Sequence, residues 1–205
     1  MSDKDAPPQS EPDSPRTGDV ADPIEFLYRD HARLQACCDD LGRLADDPGA
    51  DDGPALAASI LDFMENDLPL HLADEEEDLF PLLKWRSPPD DKIIPMIDLL
   101  VIEHRDDVEY GRALLPALRL LSTGQRPDDA ALFGHHVRAF RMLQRRHQAM
   151  ENNVLLPAAF ERLSDLDKER IAGKMAARRG ATASKTAKGA AGGRRRAAKP
   201  GAKKA

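Results

Sequence analysis

One pattern of residues occurs twice in this chain and restricts the fold more than any other feature. Residues 71–81 read HLADEEEDLFP, and residues 147–157 read HQAMENNVLLP. Each copy begins with His, has Glu four residues later and reaches Pro at the same offset. On a helix, residues four apart lie on one face about one turn apart. Each copy therefore presents an imidazole beside a carboxylate, which is half of a metal site, and two copies suggest a centre with two metal ions.

Apolar residues at helical spacing predict four long amphipathic helices, and no segment has the alternating pattern of a strand. The four helices begin near Asp22, Pro54, Asp91 and Asp129. The second contains Pro69, which predicts a kink just before His71. Because the predicted loops have only roughly 5–10 residues, the pattern favours an all-α fold, an up-down-up-down four-helix bundle.

The two ends of the chain differ in composition from the helical region. Residues 1–21 are rich in Pro, Ser, Asp and Gly, and we predict a disordered, acidic N-terminal segment. Residues 22–178 form the predicted bundle, which ends in a short fifth helix that is capped at Ser164 and reaches about Arg178. Residues 179–205 consist mainly of Ala, Gly, Lys and Arg without periodicity, which predicts a disordered basic tail.

Charge is distributed unevenly between these parts. Residues 1–22 carry a net charge of −4, and residues 178–205, with ten bases and no acid, carry +10. The total of −6 therefore leaves −12 on residues 23–177. The tail is a candidate for weak, non-specific binding of nucleic acid or polyphosphate, which the acidic bundle would oppose. A solubilising extension without a binding role is the alternative.

The sequence has no pattern typical of secretion or of membrane insertion. The N-terminus lacks a basic start followed by an apolar stretch, and no apolar run approaches the roughly 20 residues of a membrane span. The two cysteines, Cys37 and Cys38, are adjacent and suggest no disulfide framework. We therefore expect a cytoplasmic protein without a membrane partner.

Each of the four predicted inner helix faces carries one histidine, and two of them add a glutamate. The candidate metal ligands are His31, His71, Glu75, His104, His147 and Glu151. Histidine and glutamate on otherwise apolar faces must be paired, hydrogen-bonded or metal-bound. A lone histidine is usually a satisfied core residue, but that alternative must hold once per helix and also account for both glutamates. Two first-row metal ions bridged by two carboxylates satisfy all six side chains together.

The spacing argues against the ferritin-like di-iron bundles, which place Glu three residues before His. The positions three residues before the last three candidate histidines are Leu68, Val101 and Gln144. The metal itself stays open, because histidine and carboxylate ligands suit Fe, Mn and Zn alike.

With these motifs, residues 23–160 resemble the hemerythrin-like (HHE cation-binding) family of four-helix bundles. The resemblance implies a non-haem di-iron centre, with two iron ions held by the six candidate ligands and an oxo or hydroxo bridge as one option. Oxygen-carrying members place two histidines four apart on the third helix, whereas here Leu100 and Val108 flank His104 at that spacing. The pattern is closer to members that are associated with iron or oxygen sensing and with nitrosative-stress iron repair.

Three functions follow as hypotheses. The first is a metal-binding protein that binds or senses oxygen, nitric oxide or peroxide, or that serves iron homeostasis and stress response. The second is iron-centre repair, or reductase or peroxidase activity on a small molecule, so whether the chain is an enzyme stays open. The third is binding of nucleic acid or another polyanion through the basic tail.

Several polar residues near the motifs receive a plainer interpretation. The acidic residues that surround Glu75 are expected on a solvated face, although Asp74 or Glu76 could replace it as a ligand in a distorted helix. These residues are Asp74, Glu76, Glu77 and Asp78. Tyr28 lies one turn before His31 and is either a neighbouring hydrogen-bond donor or a packing residue. Cys38 is expected to be a small core residue.

Overall fold

The computed structural model describes residues 20–196, and the side chains of residues 20–180. Regular structure in this part of the chain is helical throughout, which confirms the all-α prediction. The first helix, α1 (Pro23–Asp46), begins at Asp22, whose Oδ1 accepts hydrogen bonds from the backbone N–H groups of Ile24 (2.8 Å) and Glu25 (3.2 Å). A side-chain cap followed by Pro at the first helical position is a favourable helix start.

Four further helical segments follow, and two of them change their hydrogen-bond pattern along their length. Segment α2 covers residues 53–86, α3 is Ile93–Leu121 with Pro116 inside it, α4 covers residues 130–162, and α5 is Asp165–Arg196. Within α2 the parts are Gly53–Asp62, Phe63–Asp67, Leu68–Ala73, Asp74–Leu79 and Phe80–Arg86, of which the second and fourth are π-helical. Within α4 the π-helical part is Glu151–Leu155, between Ala130–Met150 and Leu156–Arg162.

Each π-helical part ends just before a proline. These prolines are Pro69, Pro81 and Pro157. Proline has no N–H, and its ring clashes with the carbonyl four residues earlier, so the wider π turn lets the helix continue. The Glu75 and Glu151 carbonyls accept the π-type hydrogen bonds, from Phe80 and Leu156. A π turn therefore precedes Pro69, where a kink was predicted, and each of the other two π turns contains a candidate ligand, Glu75 or Glu151.

Helices α1 to α4 pack around the core of the fold. Helix α1 contacts both α2 and α4, and α3 contacts both α2 and α4. The buried apolar side chains form two clusters, one containing Leu27, Leu83 and Ile97, and the other containing Leu41 and Phe140. In α1, α3 and α4 the candidate histidine lies between the residues of one cluster and those of the other, and in α2 His71 lies next to Leu72, the last α2 residue of the second cluster. The up-down-up-down order of four helices remains our interpretation, since the structure contains a fifth long helix.

Helix α5 begins as expected but extends further than expected. Ser164 Oγ accepts a hydrogen bond from the Asp167 N–H (3.2 Å), and Asp167 Oδ2 accepts one from the Ser164 N–H (3.1 Å). The helix then continues to Arg196, past the boundary that the sequence suggests at residue 178, and Arg179 is buried. An alanine-rich composition favours this continuation. Disorder was predicted from residue 179 onwards, but residues 179–196 belong to α5. Residues 1–19 and 197–205 lie outside the described residues, so the disorder predicted for them remains a prediction.

Within the described part of the chain, no helix combines the length and the apolar character that crossing a membrane requires.

Candidate metal centre

The six candidate ligands meet in the middle of the core, in two groups of three. One group contains His31, His71 and Glu75, and the other contains His104, His147 and Glu151. Within each group, one potential ligand atom of every residue lies within 4.8 Å of the others, and all six side chains are buried. Helices α1, α2, α3 and α4 each contribute one histidine. The histidine and the glutamate of each repeated segment lie on the same helix face, as the spacing of four predicts.

Both carboxylates lie between the two histidine groups. Glu75 Oε1 is 3.3 Å from His31 Nε2, and its Oε2 is 3.6 Å from His104 Nε2 in the other group. Glu151 repeats this arrangement, with Oε2 3.3 Å from His31 Nε2 and Oε1 3.6 Å from His104 Nε2. Each carboxylate can therefore direct one oxygen to each group, which is the geometry of a bridge between two cations.

Two of the histidines are oriented by hydrogen bonds on the ring nitrogen that faces away from the carboxylates. His31 Nδ1 lies 2.6 Å from Asn152 Oδ1, and His104 Nδ1 lies 2.8 Å from Glu76 Oε1. An oxygen acceptor at Nδ1 keeps the proton there, so the Nε2 lone pair is free for a metal ion. Tyr28 supports the contact between His31 and Asn152, because its hydroxyl donates to the backbone carbonyl of Asn152 (3.2 Å).

The other two histidines have carboxylates in the same place. His71 Nδ1 is 3.3 Å from Asp30 Oδ2, and His147 Nδ1 is 2.8 Å from Asp107 Oδ2, with both aspartates buried. Neither pair has the geometry of a hydrogen bond, since both Nδ1 atoms and the two Asp107 oxygens lack a hydrogen-bond partner among the described residues. A carboxylate close behind the ring is the arrangement that is typical of metal-bound histidine. All four rings therefore have an oxygen at Nδ1.

The sequence did not predict the positions of the four residues behind the histidines. They are Asp30, Glu76, Asp107 and Asn152. Glu76 was expected on a solvated face or as a replacement ligand for Glu75, whereas its carboxylate lies at Nδ1 of His104. Two of these residues could have been noticed in the sequence, because Asp30 precedes His31 by one residue and Asp107 follows His104 by three. Polar residues on a helix face that is otherwise buried need a partner.

The buried carboxylates strongly affect the charge of the histidines. Burial alone lowers the pKa of His71, but the Glu75 carboxylate reverses this and raises that pKa to about 10. Burial likewise opposes the charge on His104, yet Glu151 and Glu75 raise its pKa to about 9. For His31, burial again acts downward, and the hydrogen bond with Glu75 raises the pKa above its usual range. The carboxylates thus attract positive charge into an otherwise apolar core.

Several polar atoms of the two groups are buried without a hydrogen-bond partner among the described residues. They include Nε2 of His71, His104 and His147, Oε2 of Glu75 and both carboxylate oxygens of Glu151. Leaving one such atom unpaired costs about 1–3 kcal/mol, and more for a charged group. A cation between the groups would satisfy these atoms at once, so the residues fit metal ions of the kind that histidine and carboxylate bind.

Comparison with known proteins agrees with this geometry. The family model for the hemerythrin HHE cation binding domain matches residues 22–159, which is more than half of the chain. The chain belongs to this family. The match confirms the resemblance on which the predicted metal centre rests, and it includes all six candidate ligands. A comparison with the curated proteins found no match.

In this hemerythrin-family chain, a cavity of about 830 Å³ between α2 and α3 reaches His104 of the candidate metal centre. His104 lies at its wall together with Glu76, and much of its remaining surface is apolar. The main apolar residues are Met64, Leu68, Leu72, Val108 and Leu115. Of the two residues that flank His104 at a spacing of four, Val108 therefore faces the cavity, whereas Leu100 is fully buried in the core.

The acidic face around Glu75 is not solvated as expected. Asp74 and Asp78 are buried, because α5 covers them with basic side chains. Arg179 Nη2 lies 2.6 Å from Asp74 Oδ2, and Arg178 contacts both aspartates, at 2.8 Å in the case of Asp78. Lys174 Nζ is 3.0 Å from Asp78 Oδ1. The prediction of a solvated face was wrong for Asp74 and Asp78. Their cationic partners lie about 100 residues later in the chain, so the local sequence does not indicate these ion pairs.

The remaining histidines lie away from the centre. His135 is exposed and His136 is partly buried, with its ring 6.4 Å from that of Tyr110. Cys38 is buried, as expected, and both cysteines are free thiols.

Proposed function

We propose that the chain holds two iron ions between its four helices and uses them to bind or sense oxygen, nitric oxide or peroxide. The observation that carries this proposal is the position of the two glutamates, each with oxygens near histidines of both groups. A single-ion site needs only one such group. Two groups that share two carboxylates are suited to a pair of ions.

In this proposal each residue has a defined role. His31 and His71 would hold one ion, His104 and His147 would hold the other, and Glu75 and Glu151 would be shared between them. When bound, the ions supply redox electrons and open coordination positions for a small ligand. Hydrogen bonds at Nδ1 would hold the His31 and His104 rings in the metal-binding tautomer, and the two apolar clusters exclude water from either side. The cavity between α2 and α3 gives the ligand a path to His104.

The choice of iron rests on the family rather than on the ligand set, because histidine and carboxylate also bind Mn and Zn. The direct test is elemental analysis of protein purified without added metal. Two equivalents of iron per chain are expected. Zinc or manganese at that stoichiometry would contradict the iron assignment and leave the two-ion centre intact, whereas a single equivalent would contradict the centre itself.

The first prediction concerns the bridging glutamates. Replacing both Glu75 and Glu151 by Ala removes the only ligands shared by the two groups, so metal content should fall below one ion per chain. Thermal stability should fall with it, because metal binding adds to the folding free energy. Metal content is measured by elemental analysis and stability by thermal denaturation.

Glu77→Ala is the matched control, since Glu77 is exposed and lies on the same π-helical part as Glu75. Full occupancy in the double variant would refute the assignment.

A second candidate function is turnover of a small molecule, such as reduction of a peroxide with electrons from an added donor. The observation in its favour is the cavity volume of about 830 Å³, which is far larger than a diatomic ligand requires and within the range of small-molecule sites. Steady-state assays with hydrogen peroxide and an organic hydroperoxide separate turnover from simple binding. Stoichiometric reaction without turnover would support the sensing role.

A further inference from the structure

The first part of α4, Ala130–Met150, differs in charge from the rest of the bundle. It contains four arginines and no acidic residue, although residues 23–177 carry −12 overall. Three of these arginines, Arg138, Arg141 and Arg145, are spaced three and four residues apart and therefore lie along one face of the helix. The fourth, Arg146, pairs with the buried Glu103 at 2.5 Å and points elsewhere.

The three arginines border one cleft between α1 and α4. The cleft has a volume of about 290 Å³. Its other lining residues are Gln35, Cys38, Asp39 and Met142. Cys38 lies seven residues from His31, about 10 Å along α1, so the cleft is separate from the metal centre.

Arg141 is fitted against the backbone of α1. A Cβ added at Gly42 would lie 2.4 Å from Arg141 Nη1 and 2.8 Å from its Cζ, so the guanidinium would have to move if residue 42 carried a side chain. Glycine inside a helix costs about 1 kcal/mol relative to alanine. Asp39 holds Arg141 from the side, with Oδ1 3.2 Å from Nη2, and the same oxygen accepts a hydrogen bond from Gln35 (3.2 Å).

The other two arginines lack an anionic partner. Neither Arg138 nor Arg145 makes an ion pair or hydrogen bond within the part of the chain whose side chains are described. Asp39 is the one acid in the cleft lining, and it already contacts Arg141. Three arginines and one carboxylate line the cleft, so it has an excess of positive charge.

We propose that this cleft binds a small phosphate-bearing anion of the size of a diphosphate group. Guanidinium groups bind phosphate through paired, charge-assisted hydrogen bonds, and arginine is suited to this geometry. The volume of 290 Å³ accommodates one or two phosphate groups but not a folded partner. The surrounding bundle is acidic and repels a long polyanion, which favours a small anion over a nucleic acid. This site is independent of the proposed iron chemistry.

The test is isothermal titration calorimetry of the full-length, metal-loaded protein with inorganic pyrophosphate at about 0.1 M salt, where long-range charge effects are partly screened. The variant Arg138→Gln with Arg145→Gln removes the two unpaired guanidinium groups. Its matched control is Arg29→Gln with Arg170→Gln, which removes two exposed arginines that line neither this cleft nor the cavity between α2 and α3. Metal ions and the basic tail are common to both variants, so their contribution to binding cancels in the comparison.

We expect the cleft variant to bind pyrophosphate at least about tenfold more weakly, since charged hydrogen bonds are lost, and the control to change less than about twofold. Equal losses in both variants, or no measurable binding by the unmodified protein, would overturn the proposal. Duplex DNA is the second probe. If the cleft variant weakens DNA binding but not pyrophosphate binding, the arginines form a nucleic-acid surface and the small-anion site is refuted.

Two adjacent aspartates, Asp39 and Asp40, give an independent test in which binding of pyrophosphate should become tighter rather than weaker. Asp39→Asn removes the carboxylate that competes for Arg141, so pyrophosphate should bind more tightly. Asp40→Asn removes the same charge one residue away, where Asp40 pairs with Arg43 outside the cleft lining (3.0 Å). A gain of about threefold or more in the first variant alone supports a site at the cleft. The same gain in both, or no gain in either, contradicts it.

Discussion

At the scale of single residues, the centre depends as much on the oxygens behind the histidines as on the ligands themselves. His147 shows this most clearly, because both its ring and the Asp107 side chain that faces its Nδ1 are fully buried. A buried carboxylate with no role would be costly. It lies 2.8 Å from Nδ1, although without the geometry of a hydrogen bond, and it would supply negative charge close to a bound metal ion.

The second prediction concerns this pair. Asp107→Asn keeps the size of the side chain but removes its charge, so the affinity for the metal ions should fall by about 10–100-fold. Affinity is measured by competition with a coloured chelator. The control is Asp106→Asn, which makes the same change at an exposed neighbour on α3. Equal affinities of the two variants would show that Asp107 has only a packing role.

The contrast between ligands and their supporting residues explains what the sequence could and could not predict here. His71 and Glu75 share one helix, so a spacing of four was enough to place them together. His31 and Asn152 lie 121 residues apart and meet only when α1 packs against α4. The spacing of residues along one helix cannot show a contact between two helices. The residue type alone also does not show whether an aspartate such as Asp107 is buried or exposed to solvent.

At the scale of whole elements, α5 is part of the support of the metal centre rather than an appendage. It brings Arg179 onto Asp74, the residue next to Glu75, and it places the Arg179 guanidinium 4.4 Å from the ring centre of Phe26 on α1. Burial raises the pKa of Asp74 even with Arg179 beside it, so this carboxylate depends on its partner to remain charged. The π-helical part that carries Glu75 is thus held from outside by α5 and from inside by the histidines.

The third prediction tests this support. Arg179→Ala leaves the buried Asp74 with one cationic neighbour fewer, and the loss of one partner from a buried ion pair costs about 3–5 kcal/mol of unfolding free energy. Chemical denaturation of the metal-free protein measures this change. Arg170→Ala, an exposed arginine on the same helix, should change stability by less than about 0.5 kcal/mol. A similar small effect of Arg179→Ala would mean that Arg178 alone neutralises the acidic cluster.

The helices differ in how well local sequence predicted them. Capping predicted the starts of α1 and α5, because Asp22 and Ser164 satisfy backbone N–H groups close by in the chain. The π turns before Pro81 and Pro157 were not predicted, since a proline inside a helical pattern indicates only an irregularity and not its type. The length of α5 was underestimated because its buried contacts are with α1 and α2, far away in sequence.

At the scale of the whole molecule, the metal centre joins four helices at the level where the apolar core is interrupted. The two apolar clusters lie on either side of a layer of histidines and carboxylates that is buried but polar. Without metal, this layer is held together by charged histidines facing carboxylates. With metal, the ions take that place, and the histidines must then be neutral. Protons and metal ions therefore compete for the same positions, and the stability of the fold depends on which of them is bound.

The last prediction follows from this competition. In metal-free protein the pKa values of His71 and His104 are raised to about 10 and about 9, from 6.5 in an unfolded chain. A raised pKa means that the folded state holds protons which the unfolded state has released. Its stabilising contribution is complete below pH about 6.5 and is lost as the pH rises towards 9–10. Unfolding free energy should therefore fall between pH 7 and 9, by about 1.4 kcal/mol per pH unit for each excess proton.

The metal-loaded protein should have the opposite slope over the same range, because metal binding requires deprotonated histidines and strengthens as the pH rises. The measurement is chemical denaturation at pH 6.5–9.0, with saturating metal and with excess chelator. A His71→Gln variant serves as the control, since it lacks the most strongly shifted group and should show a flatter metal-free curve. Parallel curves with and without metal would mean that protons and metal ions do not share these side chains, and the six-residue centre would have to be reassigned.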